Sequence, residues 1–244
     1  MRYGILGDVH SNLSALRAVL ECLERDVVDV VLSVGDIVGY GAAPEECIGV
    51  LRELEVAAVK GNHDAACVGE IDASYFNPMA RAAVDWTRGR LGRADLEWLR
   101  ALPMVLHFSD CSVAHGTLSS PEKYEYIQSV EDADPSLDAM HTPVCFVGHT
   151  HVPVAMLRMT SDPSRTAYTL EPQLDLDELS RALVNVGSVG QPRDEDPRAA
   201  YGLYDSDLAK VWVRRVEYDI AAEAHRIRKA GLPGMLADRL FFGV

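Results

Sequence analysis

Five short strings that combine glycine or alanine with Asp, Asn and His side chains limit the fold of this chain more than any other feature. Each string follows an apolar run of the kind that forms a buried strand, so each is predicted at a strand end. In open α/β sheets, ligands bind at the carboxyl edge of the strands. The pattern therefore favours an α/β sheet that presents polar side chains at this edge. The strings are Gly7-Asp8-Val9-His10, Gly35-Asp36, Gly61-Asn62-His63-Asp64, Ala114-His115-Gly116 and Gly148-His149-Thr150-His151.

The first part of the chain alternates between strand patterns and helix patterns. Apolar and β-branched runs predict strands at Arg2 to Leu6, Val27 to Val34 and Val56 to Lys60. Leucines at helical spacing begin at Leu13, and Pro44 is well placed to open a helix that runs to Leu54. This order predicts a largely parallel sheet with right-handed crossovers.

The rest of the chain contains more strand patterns. Its predicted helices are Pro78 to Leu91, Ala94 to Leu102 and a terminal helix at Asp219 to Lys229. Its predicted strands are Met104 to Phe108, Cys111 to Ala114, Val144 to Val147, Val154 to Met159, Thr166 to Leu170, Ala182 to Val186, Ala200 to Tyr204 and Lys210 to Val216. Together the elements predict an α/β four-layer αββα sandwich, with two mixed β-sheets flanked by helices, in one domain over residues 1–244.

The net charge restricts the partners of the chain. Lys and Arg number 23 and Asp and Glu number 37, so the formal net charge is −14. A field of that sign repels long polyanions and anionic surfaces, so neither double-stranded nucleic acid nor a membrane is expected as a partner. The chain has no long apolar span and no signal-peptide pattern, and its five scattered cysteines fit reduced, buried thiols. These features predict a cytoplasmic protein.

The donor side chains of the strings fit a metal site. Imidazole with carboxylate suits divalent transition metals, whereas calcium prefers oxygen ligands. The donors exceed the roughly three or four of a single zinc site, which indicates two ions that share a bridging carboxylate. We therefore expect a dinuclear site at the strand ends, for which Mn, Fe, Zn, Co and Ni all remain open. The donors are Asp8, His10, Asp36, Asn62, His115, His149 and His151.

In sequence order, the strings read Asp-x-His, Gly-Asp, Gly-Asn-His-Asp, Ala-His and Gly-His-x-His. With these five blocks in this order, the chain resembles the calcineurin-like metallophosphoesterase superfamily. Two later strings, Asn185-Val186-Gly187-Ser188 and Gln191-Pro192-Arg193, are similar to the small prokaryotic phosphodiesterase-type branch of that family. Segments 116–140 and 161–179 match no motif.

This resemblance implies a role for each matching residue. Asp8, His10 and His151 would hold the first metal ion. Asn62, His115 and His149 would hold the second, and Asp36 would bridge the two ions. His63 would face the substrate as a proton donor or a phosphate contact. Asp64 would hydrogen-bond His63 and fix its orientation.

The implied activity is hydrolysis of a small phosphoester, with phosphodiesters favoured over phosphomonoesters. Two divalent ions about 3.5–4 Å apart can lower the pKa of a shared water, so that hydroxide attacks phosphorus while the ions stabilise the phosphoryl charge. Two other classes remain open: a non-catalytic protein-interaction scaffold with the same fold, and a hydrolase of a non-phosphate bond. The oligomeric state is not predicted.

Two further residues are candidates to line the cleft. Arg193 could bind a substrate phosphate, because arginine suits phosphate bidentately. Otherwise Arg193 would pair with Asp194, Glu195 or Asp196. Tyr40, between Gly39 and Gly41, is a weaker candidate of the same kind.

Overall fold

Two six-stranded sheets pack face to face in the computed structural model, which describes residues 1–244. One sheet has the order β3-β2-β1-β11-β12-β9, and the other has the order β4-β5-β6-β10-β7-β8. Both sheets mix parallel and antiparallel neighbours. The strands are β1 (Arg2–Leu6), β2 (Val30–Ser33), β3 (Ala57–Ala58), β4 (Val105–His107), β5 (Cys111–Ala114), β6 (Val144–Val147), β7 (Val154–Met159), β8 (Asp162–Thr169), β9 (Gln173–Asp175), β10 (Leu179–Asn185), β11 (Ala199–Asp205) and β12 (Lys210–Val216).

Helices cover the outer faces of the sheets. Single 3₁₀ turns occur at 73–75, 121–123 and 239–241. None of the helices combines the length and the apolar character needed to cross a bilayer. The α-helices are α1 (Leu13–Arg25), α2 (Pro44–Glu53), α3 (Asn62–Val68), α4 (Pro78–Arg90), α5 (Arg93–Ala101), α6 (Val130–Ala139), α7 (Ile220–Lys229) and α8 (Gly234–Asp238).

Alternation along the strands produces the layers. On β1, Ile5 belongs to the buried cluster between the sheets, together with Phe146 of β6, whereas Leu6 packs in a second cluster with Leu16 of α1. On the far side of the second sheet, Leu137 of α6 packs in a further buried cluster. Each such fully buried side chain contributes about 1.5–3 kcal/mol of transfer free energy. These clusters confirm the predicted four-layer sandwich of two mixed sheets.

Parallel pairing brings the strings to one place. Strands β1, β2 and β3 are mutually parallel neighbours, and β5, β6 and β10 form a second parallel set. The carboxyl ends of each set therefore lie at one edge of its sheet. The edges of the two sheets meet, because the backbone N–H of His149, after β6, donates to the Asp8 carboxylate, after β1, at 3.0 Å.

Several elements differ from the predictions. The strand predicted from Val27 begins only at Val30, because Val27 has a φ of 53° and is 75% exposed. The string at Asn62, predicted at a strand end, also forms the first turn of α3. Helix α6 was not predicted, and it contains Pro135, which usually argues against a helix. The helix predicted to be terminal is followed by α8 and by the turn at 239–241.

Candidate metal centre

The seven donor residues converge at the meeting edges of the sheets. Asp36 belongs to two groups of buried donors, in each of which one ligand atom per residue lies within 4.8 Å of the others. Asn62 adjoins the second group, with its side-chain oxygen 3.0 Å from His115 Nε2. The first group is Asp8, His10, Asp36 and His151, and the second is Asp36, His115 and His149.

Backbone carbonyls orient three of the histidine rings. A carbonyl only accepts hydrogen bonds, so a neutral imidazole beside it keeps its proton on the facing nitrogen. Each of these rings turns Nδ1 to a carbonyl and leaves Nε2 as a lone pair directed into the donor group, which is how second-shell contacts prepare metal ligands. The contacts are His10 Nδ1 to Val38 at 3.0 Å, His115 Nδ1 to Val34 at 2.9 Å and His151 Nδ1 to Gln191 at 2.6 Å.

The resulting lone pairs face one another. Nε2 of His10 lies 3.1 Å from Nε2 of His151, and the Asp36 carboxylate lies 3.5 Å from Nε2 of both His10 and His115. With the protons on Nδ1, none of these contacts has a hydrogen between the two atoms. A cation among the atoms would turn the repulsion into coordination. Nitrogen and carboxylate oxygen donors of this kind fit divalent transition metals.

Burial makes the carboxylates of this cluster hard to ionise without a cation. Asp8 and Asp36 are almost completely buried. Desolvation raises the pKa of Asp8 to about 7, with a further contribution from the charge of Asp36, and raises the pKa of Asp36 to about 8. Desolvation also lowers the pKa of His10 and of His151, which favours the neutral, ligating form of both rings.

Glycines allow the carboxylates to approach the backbone. A Cβ on Gly61 would lie 2.1 Å from Asp36 Oδ1, and one on Gly148 would lie 2.4 Å from Asp8 Oδ2. These close approaches explain why the strings require glycine at these two positions.

Four of the donors also have backbone conformations that L-residues rarely adopt. Their φ angles are 47° for His10, 48° for Asp36, 69° for His149 and 63° for His151. Each such conformation costs on the order of 1–3 kcal/mol and persists only where the surrounding structure requires it. Such strain is concentrated at functional sites, which agrees with a role for this cluster.

Asp64 differs from its expected role. The predicted hydrogen bond between Asp64 and His63 is wrong, because His63 Nδ1 is buried without a partner. The Asp64 carboxylate instead accepts the backbone N–H groups of Ile37, Val38 and Gly61 at 3.0–3.1 Å. Asp64 lies in the first turn of α3, where a carboxylate is stabilised by nearby backbone N–H groups. Asp64 therefore shapes the loop that holds Asp36.

Aromatic rings, and not a carboxylate, position His63. Its ring centroid lies 4.5 Å from that of Tyr40, 5.0 Å from that of Phe76 and 4.8 Å from that of His10. Burial and the charge of Arg193 lower the pKa of His63 to about 3. The structure thus places His63 beside the first donor group, next to two rings.

Arg193 and Tyr40 lie together at the centre. The Arg193 guanidinium donates to the Tyr40 hydroxyl at 3.3 Å and lies 5.7 Å from the centre of the Tyr40 ring. The alternative ion pair of Arg193 with the acidic residues that follow it is not found, because Asp194 pairs with Arg215 and Asp196 pairs with Arg198. Arg193 is thus a cation beside the donors without a carboxylate partner.

The sequence motifs did not reveal Tyr126, which lies in a segment without a motif. Its ring stacks on His149 with centroids 3.9 Å apart and planes inclined by 18°. Beside it opens an apolar groove of about 610 Å³, lined in part by Ile127, Val130, Tyr168 and Leu170. An isolated tyrosine in a loop has no sequence signal that predicts such stacking.

Comparisons with known proteins agree with this geometry. The family description "Calcineurin-like phosphoesterase superfamily domain" matches residues 1–207. An uncharacterized protein of Methanocaldococcus jannaschii is 35% identical over 245 residues, which cover 98% of this chain and 97% of that protein. A metallophosphoesterase from Sphaerobacter thermophilus has a similar structure, with a TM-score of 0.88 and 43% identity, covering 100% of this chain and 99% of the other. A hypothetical protein from Pyrococcus horikoshii shares the fold, with a TM-score of 0.81 and 22% identity over 100% and 98% of the two chains.

Proposed function

This chain belongs to the calcineurin-like phosphoesterase superfamily, and we propose that it hydrolyses a small phosphoester with two divalent metal ions, favouring phosphodiesters over phosphomonoesters. The observation that supports this most strongly is the position of Asp36 in two buried donor groups at once. A carboxylate shared in this way suits a bridging ligand between two ions.

The residues take the following roles in this proposal. Asp8, His10 and His151 would hold one ion, Asn62, His115 and His149 would hold the other, and Asp36 would be shared by both. When bound, the ions would supply an activated water and Lewis-acid stabilisation of the phosphoryl oxygens. The strained loops fix the donors in place before the substrate arrives.

His63 and Arg193 contact the substrate. The His63 ring lies beside the first donor group, where its N–H can donate a hydrogen bond to a phosphoryl oxygen, and an anionic phosphoryl group would raise its lowered pKa and so favour proton donation to a leaving-group oxygen. Arg193 adds a positive charge at the same place, and its guanidinium offers donors in a fork that matches phosphate oxygens.

Space beside the centre supports the preference for diesters. A phosphodiester has a second alcohol group that must fit next to the metal-bound phosphoryl group. The groove beside Tyr126 has a volume of about 610 Å³, and its lining includes Thr150, which stands between the donors His149 and His151 in sequence. This groove offers room for the second alcohol group.

Hydrolysis of two chromogenic esters tests the proposal. Bis(p-nitrophenyl) phosphate and p-nitrophenyl phosphate are compared with added manganese, and bound metal is measured in each protein. We expect turnover of both, faster for the diester, and a loss of at least about a hundredfold in Asp36→Asn and in His63→Ala. Asp36→Asn should also lose bound metal, whereas His63→Ala should keep it.

The exposed Asp175, which pairs with Lys210, offers a matched control. Asp175→Asn should retain full activity and full metal content. Turnover in Asp36→Asn equal to that of the unchanged protein would show that the donors do not catalyse the reaction. Full metal content without turnover of either ester would favour the scaffold function.

A further inference from the structure

The loop between α3 and α4 brings an aromatic ring to His63. Phe76 lies in this loop, outside the five strings that carry the family resemblance. The centroid of its ring lies 5.0 Å from that of His63, and the two planes are inclined by 54°. The family motifs therefore assign no role to a residue that contacts His63.

The His63 ring is oriented by its surroundings and not by a hydrogen bond. Its backbone N–H donates to the Asp36 carboxylate at 2.8 Å, which fixes the main chain beside the shared donor. Its Nδ1 is buried without a hydrogen-bond partner, and the neighbouring Asp64 carboxylate accepts only backbone N–H groups. Rotation of the imidazole about its Cβ–Cγ bond is therefore limited only by the groups that pack against it.

Backbone and rings enclose His63. Gly39 has a φ of 92°, and a Cβ there would lie 2.4 Å from His63 Nδ1, so this nitrogen faces the glycine backbone. The other imidazole nitrogen, Nε2, is thereby left for a ligand. The ring of His10, a predicted metal ligand, lies 4.8 Å from that of His63, so the imidazole borders the first donor group.

Phe76 differs from the other two rings that contact His63. His10 belongs to the donor group, and Tyr40 accepts a hydrogen bond from Arg193. Both therefore have tasks besides packing. Phe76 has no polar side-chain atom, and it packs, partly buried, against two buried clusters. Packing is the only contribution that Phe76 can make, either to the fold or to the orientation of His63.

Two caps hold the loop around Phe76. The 3₁₀ turn before it is capped by the Asp72 carboxylate, and α4 after it is capped by the Asn77 side chain. Between the two caps, the Phe76 N–H donates to the carbonyl of Ala73 at 3.0 Å. The loop thus fixes the backbone of Phe76, and with it the direction from which the ring packs against His63.

We propose that Phe76 is a positioning residue, which packs against His63 and keeps Nε2 directed at the phosphoryl group. This inference rests on the proposed function and adds a residue to it. In this role Phe76 takes the place of the carboxylate that the family resemblance assigns to Asp64. Phe76 acts through His63 alone, so its loss should slow turnover and leave ground-state binding of the substrate almost unchanged.

Steady-state kinetics of four proteins test this inference: the unchanged protein, Phe76→Leu, His63→Ala and the double variant, with bis(p-nitrophenyl) phosphate and added manganese. We expect Phe76→Leu to lower kcat about tenfold and to leave KM within about twofold. In the His63→Ala background the same change should lower kcat by less than about twofold, because the effects of residues that act through one another are not additive. Bound metal should be the same in all four proteins.

Conservative and neighbouring variants exclude a purely structural effect. Phe76→Tyr keeps the ring and should recover most of kcat, whereas Phe76→Leu keeps only an apolar side chain for the two clusters. Tyr75, the preceding residue, is 90% exposed, and Tyr75→Leu should behave like the unchanged protein. Melting temperatures identify any variant that fails to fold, and if Phe76→Leu fails, Phe76→Met, with its adaptable side chain, replaces it.

Binding of orthovanadate provides a readout that needs no turnover. Vanadate adopts the five-coordinate geometry of phosphoryl transfer, so it depends on the same His63 contact as the transition state. Calorimetry with manganese-loaded protein should show about fivefold to tenfold weaker binding in Phe76→Leu, and no such difference in the His63→Ala background. This pattern without hydrolysis of any ester would support the positioning role and refute the proposed function alone.

Two results would overturn the inference. One is an unchanged kcat in Phe76→Leu. The other is a loss of the same size in both backgrounds, which would show that Phe76 contacts the substrate or supports the fold independently of His63. Either result, together with metal-dependent turnover by the unchanged protein, refutes the inference and leaves the proposed function standing.

Discussion

The two sides of the candidate metal centre differ in their chemistry. On the first, which we call the apolar side, Tyr126 stacks on His149, and the next residue, Ile127, lines a groove together with Tyr168 and Leu170. On the second, the arginine side, the Arg193 guanidinium donates to the Tyr40 hydroxyl, and Tyr40 packs with Leu236 and Leu240 of the C-terminal segment. The donors between them could serve many phosphoesters. The sides, and not the donors, are therefore expected to select the substrate.

The sides also differ in how they are held. Tyr168 and Leu170, at 65% and 68% exposed, lie on the surface at the edge of the second sheet. Tyr40, Leu236 and Leu240 are buried. A buried wall holds its charges in fixed positions, whereas an open apolar groove accepts groups of various shapes. We thus expect strict recognition of phosphate on the arginine side and tolerance on the apolar side.

The largest loss of activity is expected when a donor residue is replaced, because the substrate depends on the same donors whichever side recognises it. Asp8→Asn removes a buried carboxylate that accepts the His149 N–H. Activity on every ester, and bound metal, should fall at least about a hundredfold. Kinetics with several esters, together with metal analysis, measure this loss. If the loss depended strongly on the ester, the donors would themselves discriminate among substrates, and the comparison of the two sides would fail.

A smaller effect, specific for phosphate, is expected on the arginine side. Arg193→Gln should raise KM about tenfold to a hundredfold, because charge-assisted hydrogen bonds contribute about 1.5–3 kcal/mol. Bound metal should not change, since Arg193 is not a donor. Steady-state kinetics and metal analysis test both parts, and Arg193→Lys should recover part of the affinity. Loss of metal in Arg193→Gln would assign this side a structural role.

On the apolar side we expect a change in metal affinity, in contrast to the change in KM expected on the arginine side. Tyr126→Ala removes the ring that fixes His149, so metal affinity at the second donor group should fall about tenfold. Tyr168 lines the neighbouring groove and does not stack on His149, which makes Tyr168→Ala a matched control with unchanged metal affinity. Metal titration measures both variants. Equal losses in the two would mean that the groove as a whole, and not the stacking, supports the metal.

The smallest effect is expected on the free energy of unfolding, from a buried residue of helix α7, which packs behind the arginine side. Glu223 of α7 is completely buried and accepts a hydrogen bond from Ser14 of α1 at 2.9 Å. Burial raises its pKa above the ordinary value, so the native state holds the proton more tightly than the unfolded chain does. This stabilisation is present at low pH and is lost as the pH rises through the raised pKa.

Glu223→Gln removes this titration and keeps an acceptor for Ser14. As the pH rises above the ordinary pKa of a glutamate, the free energy of unfolding of the variant should therefore increase relative to that of the unchanged protein. Denaturant unfolding at several pH values measures this difference. A difference that does not change with pH would show that Glu223 titrates alike in both states, and that it stabilises α7 through packing alone.

The donors could be predicted because their signals are local. Asp8, His10, His149 and His151 follow apolar strands directly, and parallel strands align their carboxyl ends whatever the rest of the chain does. The layers followed from alternation along the same strands. The prediction for Asp64 was wrong because it relied on proximity in sequence to His63. In helix α3 that proximity does not determine the direction of the Asp64 carboxylate.

Tyr126 and the C-terminal segment show what depends on the tertiary structure. Tyr126 lies in a loop between the strings at Ala114 and Gly148, and Leu236 and Leu240 lie far beyond the last string, so both regions reach the centre only when distant segments pack together. A stacked ring or an unpaired guanidinium has no periodic pattern, because its partner lies far along the chain. The sequence by itself therefore determined the fold and the donor residues, which rest on local periodicity and strand ends. The choice of groups around the candidate metal centre was decided only by the packing of distant segments.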